Sequence, residues 1–199
     1  MTDLELVARA RDGDTDAFGE LVERHRVAVY RAARAAVGSP EEADEVTQDA
    51  FVSAYGRLAQ FRGDASFRTW LLAIAWRSAL TRRRRLVRWA RLGLAHAWPT
   101  SRVPGDRAGW TDPASWQADA APSPEQEVAA RETAGLVRRL VRALPRRLRD
   151  PLLLVGSGEY TYDEIAAMLG VPVGTVKWRV ADARRHLRER LTRLGLVDD

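Results

Sequence analysis

The chain has 199 residues, no cysteine and a formal net charge of +5, with 46% hydrophobic and 30% charged residues. This composition is typical of a soluble globular protein of one or two small domains, and it excludes a disordered chain. The lack of cysteine excludes disulfides, thiol nucleophiles and cysteine-ligated zinc. No apolar run approaches the roughly 18 residues of a membrane span, and the N-terminus has no signal-peptide pattern, so we expect a cytoplasmic protein without membrane insertion.

The basic residues indicate a polyanionic partner. All but one of the 32 basic residues are arginine, and they concentrate in the segments Arg82–Arg91, Arg138–Arg149 and Lys177–Arg193. The planar guanidinium group of arginine matches phosphates and guanine edges. Each cluster taken alone is equally compatible with a solvated helix face. The preference for arginine over lysine is also compatible with an effect of genomic base composition.

The first two predicted elements are helices bounded by capping residues. Thr2 or Asp3 caps a short first helix. The second helix is capped by Asp14, carries apolar residues at helical spacing and ends at Gly38.

The third predicted helix has an acidic outer face. Ser39 is its N-cap, and Glu42 completes a capping box. Its apolar face comprises Val46, Ala50, Phe51 and Tyr55. Acidic residues in the first turn offset the helix dipole, but Glu45, Gln48 and Asp49 lie deeper in the helix. Because an acidic and polar face repels DNA, we expect it to contact a protein that carries basic residues.

A loop around Gly63 leads into a long fourth helix capped by Ser66. The residues assigned to its core face are Phe67, Trp70, Leu71, Ile74 and Ala75. Trp76 and Arg77 are candidates for nucleic-acid contact, because aromatic rings stack on unpaired bases while arginines follow the backbone.

Residues 91–123 form a predicted linker, rich in proline and without a sustained period. The linker contains Trp98, Trp110 and Trp116. Two roles for these tryptophan rings are possible: they pack on the flanking domains, or they contact a partner. The second half, 124–199, is helical again, with one helix that ends at Pro145 and another that is capped by Asp150.

The segment from Thr161 to Val180 has the pattern of a helix-turn-helix. Thr161 and Glu164 form a capping box, Gly170 permits the turn, and a second helix starts near Gly174. An apolar stripe on the second helix comprises Val176, Val180, Ala183, Leu187 and Leu191.

The spacing and charge of this segment favour DNA binding. Ala166, Gly170 and Val176 have the spacing A-x3-G-x5-V, in which a small residue lets the helices cross and an apolar residue anchors the second one. The side chains opposite the apolar stripe, which are suited to enter a major groove or contact its phosphates, are Thr175, Lys177, Trp178, Arg179, Asp182 and Arg185. Ordinary helix packing is the alternative interpretation.

Taken together, the patterns predict an all-α protein of two small helical domains joined by a flexible linker, with a C-terminal helix-turn-helix domain. The three histidines, His25, His96 and His186, are scattered, and the sequence has no catalytic, phosphate-loop or metal-ligand motif. We therefore expect no enzyme activity, no cofactor, no metal ion and no small-molecule substrate.

Two blocks of motifs in this chain resemble the extracytoplasmic-function (ECF) group of bacterial RNA polymerase sigma factors, in the sigma-70 superfamily. The resemblance covers residues 17–85 and 125–192. Asp44–Phe51 is similar to the polymerase-binding helix of that family, Phe61–Ala75 to its promoter-melting and −10 segment, and Leu144–Lys177 to its −35 domain.

The resemblance implies a first domain over 1–90, a linker over 91–123 and a second domain over 124–199. The implied polymerase-binding residues are Glu45, Gln48 and Asp49. The implied −10 residues are Arg62, Asp64, Trp76, Arg77, Arg82 and Arg83. The implied −35 residues are Thr161, Thr175, Lys177, Trp178, Arg179, Asp182 and Arg185. The implied partners are core RNA polymerase, which performs the chemistry, promoter DNA and an anti-sigma factor.

The chain departs from the family pattern mainly on the second helix of the pair. Trp178 replaces a small hydroxyl residue, and Ala181 and Asp182 occupy positions that are often bulky or basic. Arg77 stands where asparagine is frequent. Two other functions compete with this interpretation: a stand-alone helix-turn-helix regulator whose N-terminal domain senses or dimerises, and a helical adaptor that sequesters partners without binding DNA.

Overall fold

The computed structural model describes residues 1–91 and 135–196, and all regular structure within these ranges is helical. The first range contains α1 (Asp3–Arg11), α2 (Thr15–Val37), α3 (Pro40–Gly56), a 3-10 turn (Leu58–Gln60) and α4 (Phe67–Arg91). The second contains α5, whose described part covers residues 135–143, α6 (Arg146–Gly156), α7 (Tyr162–Leu169) and α8 (Val173–Arg193). The predicted all-α fold is confirmed.

The first two helices begin at predicted capping residues, and the second ends at the predicted Gly38. Thr2 is the N-cap of α1 and forms a complete capping box with Glu5. Asp14 caps α2 by accepting a hydrogen bond from the Ala17 amide at 3.0 Å. Gly38 ends α2 with φ 85°, a left-handed conformation in which glycine carries no Cβ penalty.

The core of the N-terminal helices forms where α2, α3 and α4 pack against one another, with α1 against α2. Leu21 and Val29 of α2, Val46 of α3, and Phe67 and Leu71 of α4 are almost completely buried. Because α4 contacts both α2 and α3, it buries a wider face than one helix-helix contact requires.

Helix α3 differs in two ways from the prediction, one at its start and one near its end. Ser39 accepts a hydrogen bond from the Glu42 amide at 3.4 Å, but the Glu42 carboxylate accepts one from Arg82 of α4 rather than completing the capping box. Tyr55 was assigned to the apolar face of this helix, yet it is 45% exposed. Its ring lies 4.9 Å from that of Phe18, so it packs on α2 from the surface.

α6 begins at Arg146, after Pro145 in the N-cap position, and not at Asp150 as the sequence indicated. Pro151 therefore lies inside the helix. The longer helix carries Leu148 and Leu154 into buried positions, and this burial outweighs the one backbone hydrogen bond that proline cannot donate.

α6 and α8 pack together around a small apolar cluster of Leu144, Leu148 and Ala183, against which Leu152 and Leu187 lie partly buried. Val176 and Val180 of the predicted α8 stripe are buried as well. Before α8, Gly170 has φ 65°, as expected at the predicted turn.

The described residues form two compact units, one with residues 1–91 and 163–171, and the other with residues 135–162 and 172–196. Residues 92–123 of the predicted linker, with Trp98, Trp110 and Trp116, lie outside the described residues, so the predicted domain limits stay a prediction. Across the two described ranges, every helix is too short or too polar to cross a membrane.

Candidate protein and nucleic-acid interfaces

The outer face of α3 is acidic and exposed, as predicted. Gln48 and Asp49 point to solvent, and the Glu45 side chain is half exposed. The opposite side of the helix, with Val46 and Ala50, is completely buried, which fixes the direction in which the polar side chains point. This rigid helix presents carboxylate and amide groups that match a basic protein surface.

Arg82 of α4 lies between two carboxylates of α3, Glu42 and Glu45. Burial of its guanidinium group opposes the charged form, but the hydrogen bonds and charges of the two glutamates outweigh it and raise the pKa of Arg82 above its usual value. The side chain is 16% exposed and that of Glu42 only 6%. Arg82, predicted as a promoter contact, is placed by the structure as an ionic link between α3 and α4.

The loop that carries Arg62 and Asp64 has a fixed base and an exposed tip. At its base Phe61 is buried, with its ring 5.8 Å from that of Phe67. Arg11 of α1 donates hydrogen bonds to the carbonyls of Leu58 and Phe61. Arg62 and Asp64 are exposed on either side of Gly63, which has φ 82°, so they are held in place without being covered.

Two other predicted −10 residues are not available for base contact in this structure. Trp76 is 1% exposed, so the prediction that its ring stacks on a base is wrong for this conformation. The ring falls within the wide face that α4 buries against α2 and α3. Arg83 donates to the carbonyl of Ala36 at 3.0 Å and thereby ties α4 to the last turn of α2. Arg77 is exposed, as predicted.

The outer face of α8 is basic and carries a large exposed aromatic ring. Lys177 and Arg185 are exposed, Thr175 and Arg179 are half-buried, and Trp178 is 59% exposed. The Nζ of Lys177 lies 5.8 Å from the centre of the Tyr162 ring, within the range of a cation–π contact. Thr161, the remaining predicted −35 residue, is exposed.

Asp182 does not belong to this outer face, and its predicted exposure is wrong. It is 7% exposed, and its carboxylate pairs with Arg185, one turn further along α8. His186 Nδ1 lies 2.9 Å from the Asp182 carbonyl oxygen. Because α6 packs on α8 beside Ala183, the buried face extends to its neighbour Asp182.

The structure adds residues that the sequence interpretation left out. Val52 is 74% exposed and lies on the same side of α3 as Glu45 and Asp49. Its spacing of seven and three residues from those two acids is the signal that places it there. On α8, the exposed Arg184 lies seven residues after Lys177, which puts it on the basic outer face.

Among residues 1–91 and 135–196, no group of three or more acidic or histidine side chains is placed to hold a metal ion.

Two family models match the chain. Sigma-70 region 2 matches residues 21–89, which include α3, the Arg62–Asp64 loop and almost all of α4. Sigma-70, region 4 matches residues 134–187, which include α6, α7 and most of α8.

Relatives of known function match nearly the full length. RNA polymerase sigma factor CnrH of Cupriavidus metallidurans is 36% identical over 183 residues, which cover 92% of this chain and 90% of the relative. The ECF RNA polymerase sigma-E factor of Escherichia coli is 32% identical over 195 residues, which cover 96% of this chain and 95% of the relative.

Solved structures have the same fold. CnrH in complex with the cytosolic domain of CnrY has a TM-score of 0.60 and 28% identity, covering 96% of this chain and 97% of that chain. Sigma factor RpoE of Bartonella quintana, in complex with the anti-sigma factor NepR, has a TM-score of 0.56 and 19% identity, covering 88% of this chain and 96% of that chain. These matches do not favour a stand-alone regulator. The chain belongs to the ECF group of sigma-70 RNA polymerase sigma factors and is a transcription initiation factor.

Proposed function

We propose that the chain binds core RNA polymerase through the outer face of α3 and directs it to promoters through two DNA-binding surfaces. The observation that carries this proposal is the separation of charge between helices: α3 exposes acidic and amide groups, whereas α8 exposes arginines, a lysine and a tryptophan. An acidic face favours a basic protein, and a basic face favours DNA.

The polymerase-binding surface comprises Glu45, Gln48 and Asp49, with Val52 as an apolar neighbour. A basic clamp element of the polymerase would pair with the carboxylates. The exposed side chain of Val52 would bury its apolar surface in the same interface. Glu45 is already paired with Arg82. We therefore assign most of the hydrogen bonds to the polymerase to the side chains of Gln48 and Asp49.

The −10 surface comprises Arg62, Asp64 and Arg77. Arg62 and Asp64 lie at the tip of a loop whose base is fixed by Phe61 and Arg11. Such a loop suits capture of an unpaired base, because its polar groups keep their positions while the strand is rearranged. Arg77 extends this surface along α4.

The −35 surface is the outer face of α8. Lys177, Trp178 and Arg179 lie in its first two turns, the part of a recognition helix that contacts base edges. Arg184 and Arg185 lie further along, where contact with phosphates fixes the register of the helix on the duplex.

The remaining assignments follow from the placement of polymerase binding and DNA binding on separate surfaces. A −10 domain over 1–90 and a −35 domain over 124–199 are joined by the linker 91–123, and the chain acts in the cytoplasm, where the promoters are. The polymerase performs the chemistry, and the chain contributes none. Because CnrH was solved in complex with a protein partner, the cytosolic domain of CnrY, we propose that this chain also has a protein partner, an anti-sigma factor that sequesters it.

The test is a pair of binding measurements with core polymerase and a promoter duplex. Gln48→Ala combined with Asp49→Ala should weaken core binding at least tenfold, or about 1.4 kcal/mol. Glu23→Ala, an exposed acid on α2, is the matched control. Arg179→Ala should leave core binding intact and weaken promoter binding by about 1–3 kcal/mol. Unchanged core affinity in the double variant would remove the α3 face from the proposal.

A further inference from the structure

The outer face of α8 has an exposed tryptophan at its centre. Trp178 follows Val176 by two residues, so the two side chains point in nearly opposite directions, about 200° apart round the helix axis. Trp178 is 59% exposed, whereas Val176 is completely buried. An indole ring on the side opposite the core leaves a large apolar surface in water, and a partner that covers this surface gains binding free energy.

Small residues lie on either side of Trp178 along the same face. Gly174 precedes it by four residues and the exposed Ala181 follows it by three, so both share its side of the helix. Within the described ranges, a Cβ added to Gly174 would meet no atom of another helix within 4 Å, so packing does not demand a glycine there. The indole ring therefore projects beyond its neighbours, and this face can approach a partner with the ring foremost.

The basic residues next to this ring are engaged by other parts of the chain. The Lys177 Nζ lies 5.8 Å from the centre of the Tyr162 ring, and the Arg185 guanidinium pairs with the buried Asp182. Their charges still attract a duplex, but neither contact involves Trp178. An apolar ring with cations beside it matches the major groove, where base edges lie between two rows of phosphates.

Thymine is the base whose major-groove edge matches an indole ring. Its edge carries the C5 methyl group next to the O4 acceptor. The indole offers an apolar surface to the methyl group and the Nε1–H donor to O4. Cytosine instead presents an amino donor, which an indole cannot accept, and a purine presents no methyl group. An indole that covers a purine edge removes water from polar groups that it cannot fully satisfy.

We propose that Trp178 selects a thymine in the upstream promoter element by covering its C5 methyl group, with Gly174 and Ala181 permitting close approach. The proposal rests on the proposed function and names the base that its −35 surface contacts at one position. The selection belongs to this chain in particular, because Trp178 and Ala181 both depart from the family pattern.

The test uses the full chain bound to core polymerase and the promoter duplexes that this complex enriches from a random-sequence library. Each thymine of the upstream element is replaced in turn by deoxyuridine, which removes the methyl group and keeps every hydrogen-bonding group. At one position the affinity should fall about fourfold, the equivalent of about 0.8 kcal/mol for one buried methyl-sized group. At the same position, 5-methylcytosine should bind about fourfold better than cytosine.

Variants assign this effect to the indole ring. Trp178→Ser should bring the ratio of thymine to deoxyuridine affinity at that position close to one. Trp178→Phe should retain most of the ratio, because phenylalanine keeps an apolar ring. Val27→Ser, which removes a 54% exposed apolar side chain from α2, is the matched control and should leave the ratio unchanged. Far-UV circular dichroism and the thermal midpoint of each variant confirm that the fold is retained.

The selection of thymine is overturned if the unmodified chain with core polymerase enriches promoters but has the same thymine-to-deoxyuridine ratio as Trp178→Ser at every position. In that case, a uniform loss of affinity in Trp178→Ser would place the ring on the sugar–phosphate backbone, and no loss would remove it from the DNA interface. Failure of the unmodified chain to enrich any duplex with core polymerase would instead contradict the proposed function.

Discussion

The link between Arg82 and the glutamates of α3 makes the sharpest prediction, because sequence and structure assign this residue different roles. As a promoter contact, Arg82 would be dispensable for folding. As placed, its side chain is 16% exposed and pairs with Glu42, whose side chain is 6% exposed. Arg82→Ala leaves that buried carboxylate without its partner, which is among the costly changes a single substitution makes.

The expected loss follows from the exposure of the pair. Breaking a fully buried ion pair by removal of one partner costs about 3–5 kcal/mol, and the residual exposure of Arg82 places this pair near the lower end, at about 3 kcal/mol. The half-exposed Glu45 adds little, since exposed pairs contribute about 1 kcal/mol or less. For a domain of this size the loss corresponds to a fall in Tm on the order of 12–24 °C.

Urea unfolding followed by far-UV circular dichroism measures this loss. The matched control is Arg84→Ala, an exposed arginine on the same helix, which should change the free energy of unfolding by about 0.5 kcal/mol or less. A double-mutant cycle with Glu42→Ala should give a coupling energy of about 2 kcal/mol. If Arg82→Ala unfolds at the same urea concentration as Arg84→Ala but loses affinity for single-stranded DNA, the structural assignment is refuted and the promoter contact stands.

Three other predictions concern single side chains. Ser39→Ala removes the N-cap of α3 and should cost about 1 kcal/mol in urea unfolding, whereas an unchanged midpoint would show that the cap contributes nothing. Trp178→Ala should weaken promoter binding by the polymerase complex and leave Tm unchanged, because the ring is exposed; a large fall in Tm would mean that it is a packing residue. The hydrogen bond from the Ala17 amide and the pairing with Arg9 lower the pKa of Asp14 below its ordinary value of 3.8, so its contribution is complete above that pH and is lost as the pH falls below it. Thermal unfolding between about pH 5 and pH 3 should therefore decline less steeply for Asp14→Asn, and equal slopes would contradict this.

Local chemistry made much of the fold predictable from sequence. Thr2, Asp14 and Ser39 act as caps within four residues of their own positions, so no knowledge of the tertiary fold is needed to place them. The turn at Gly170 is equally local, since it depends on a conformation that glycine adopts freely.

The predictions that failed depend on contacts between distant elements. Trp76 lies outside a narrow apolar stripe, but α4 is sandwiched between two helices and buries more than a stripe. Asp182 is buried because α6 packs on α8 beside it, and the approach of α6 is not encoded in the spacing of α8. In both cases helix periodicity predicted which side of the helix faces the core, but not how much of the helix circumference is buried.

The arginines show the same limit for the candidate sites. The sequence interpretation placed Arg77, Arg82 and Arg83 together among the candidate −10 residues, but it could not tell a solvent-facing guanidinium from one that ties helices together. Arg82 and Arg83 contact α3 and α2, forty or more residues away, while Arg77 remains exposed. Only the packing of α4 separates the arginines that link helices from the exposed Arg77, which we propose as a DNA contact.

The most direct test of the central claim is run-off transcription by core RNA polymerase of the source organism on a library of its own genomic DNA. Addition of the chain should yield transcripts that start at a discrete set of sites, and Gln48→Ala with Asp49→Ala should abolish them at concentrations where Glu23→Ala supports them fully. Transcripts that are the same with and without the chain, together with tight binding of the isolated chain to duplex DNA, would contradict the account.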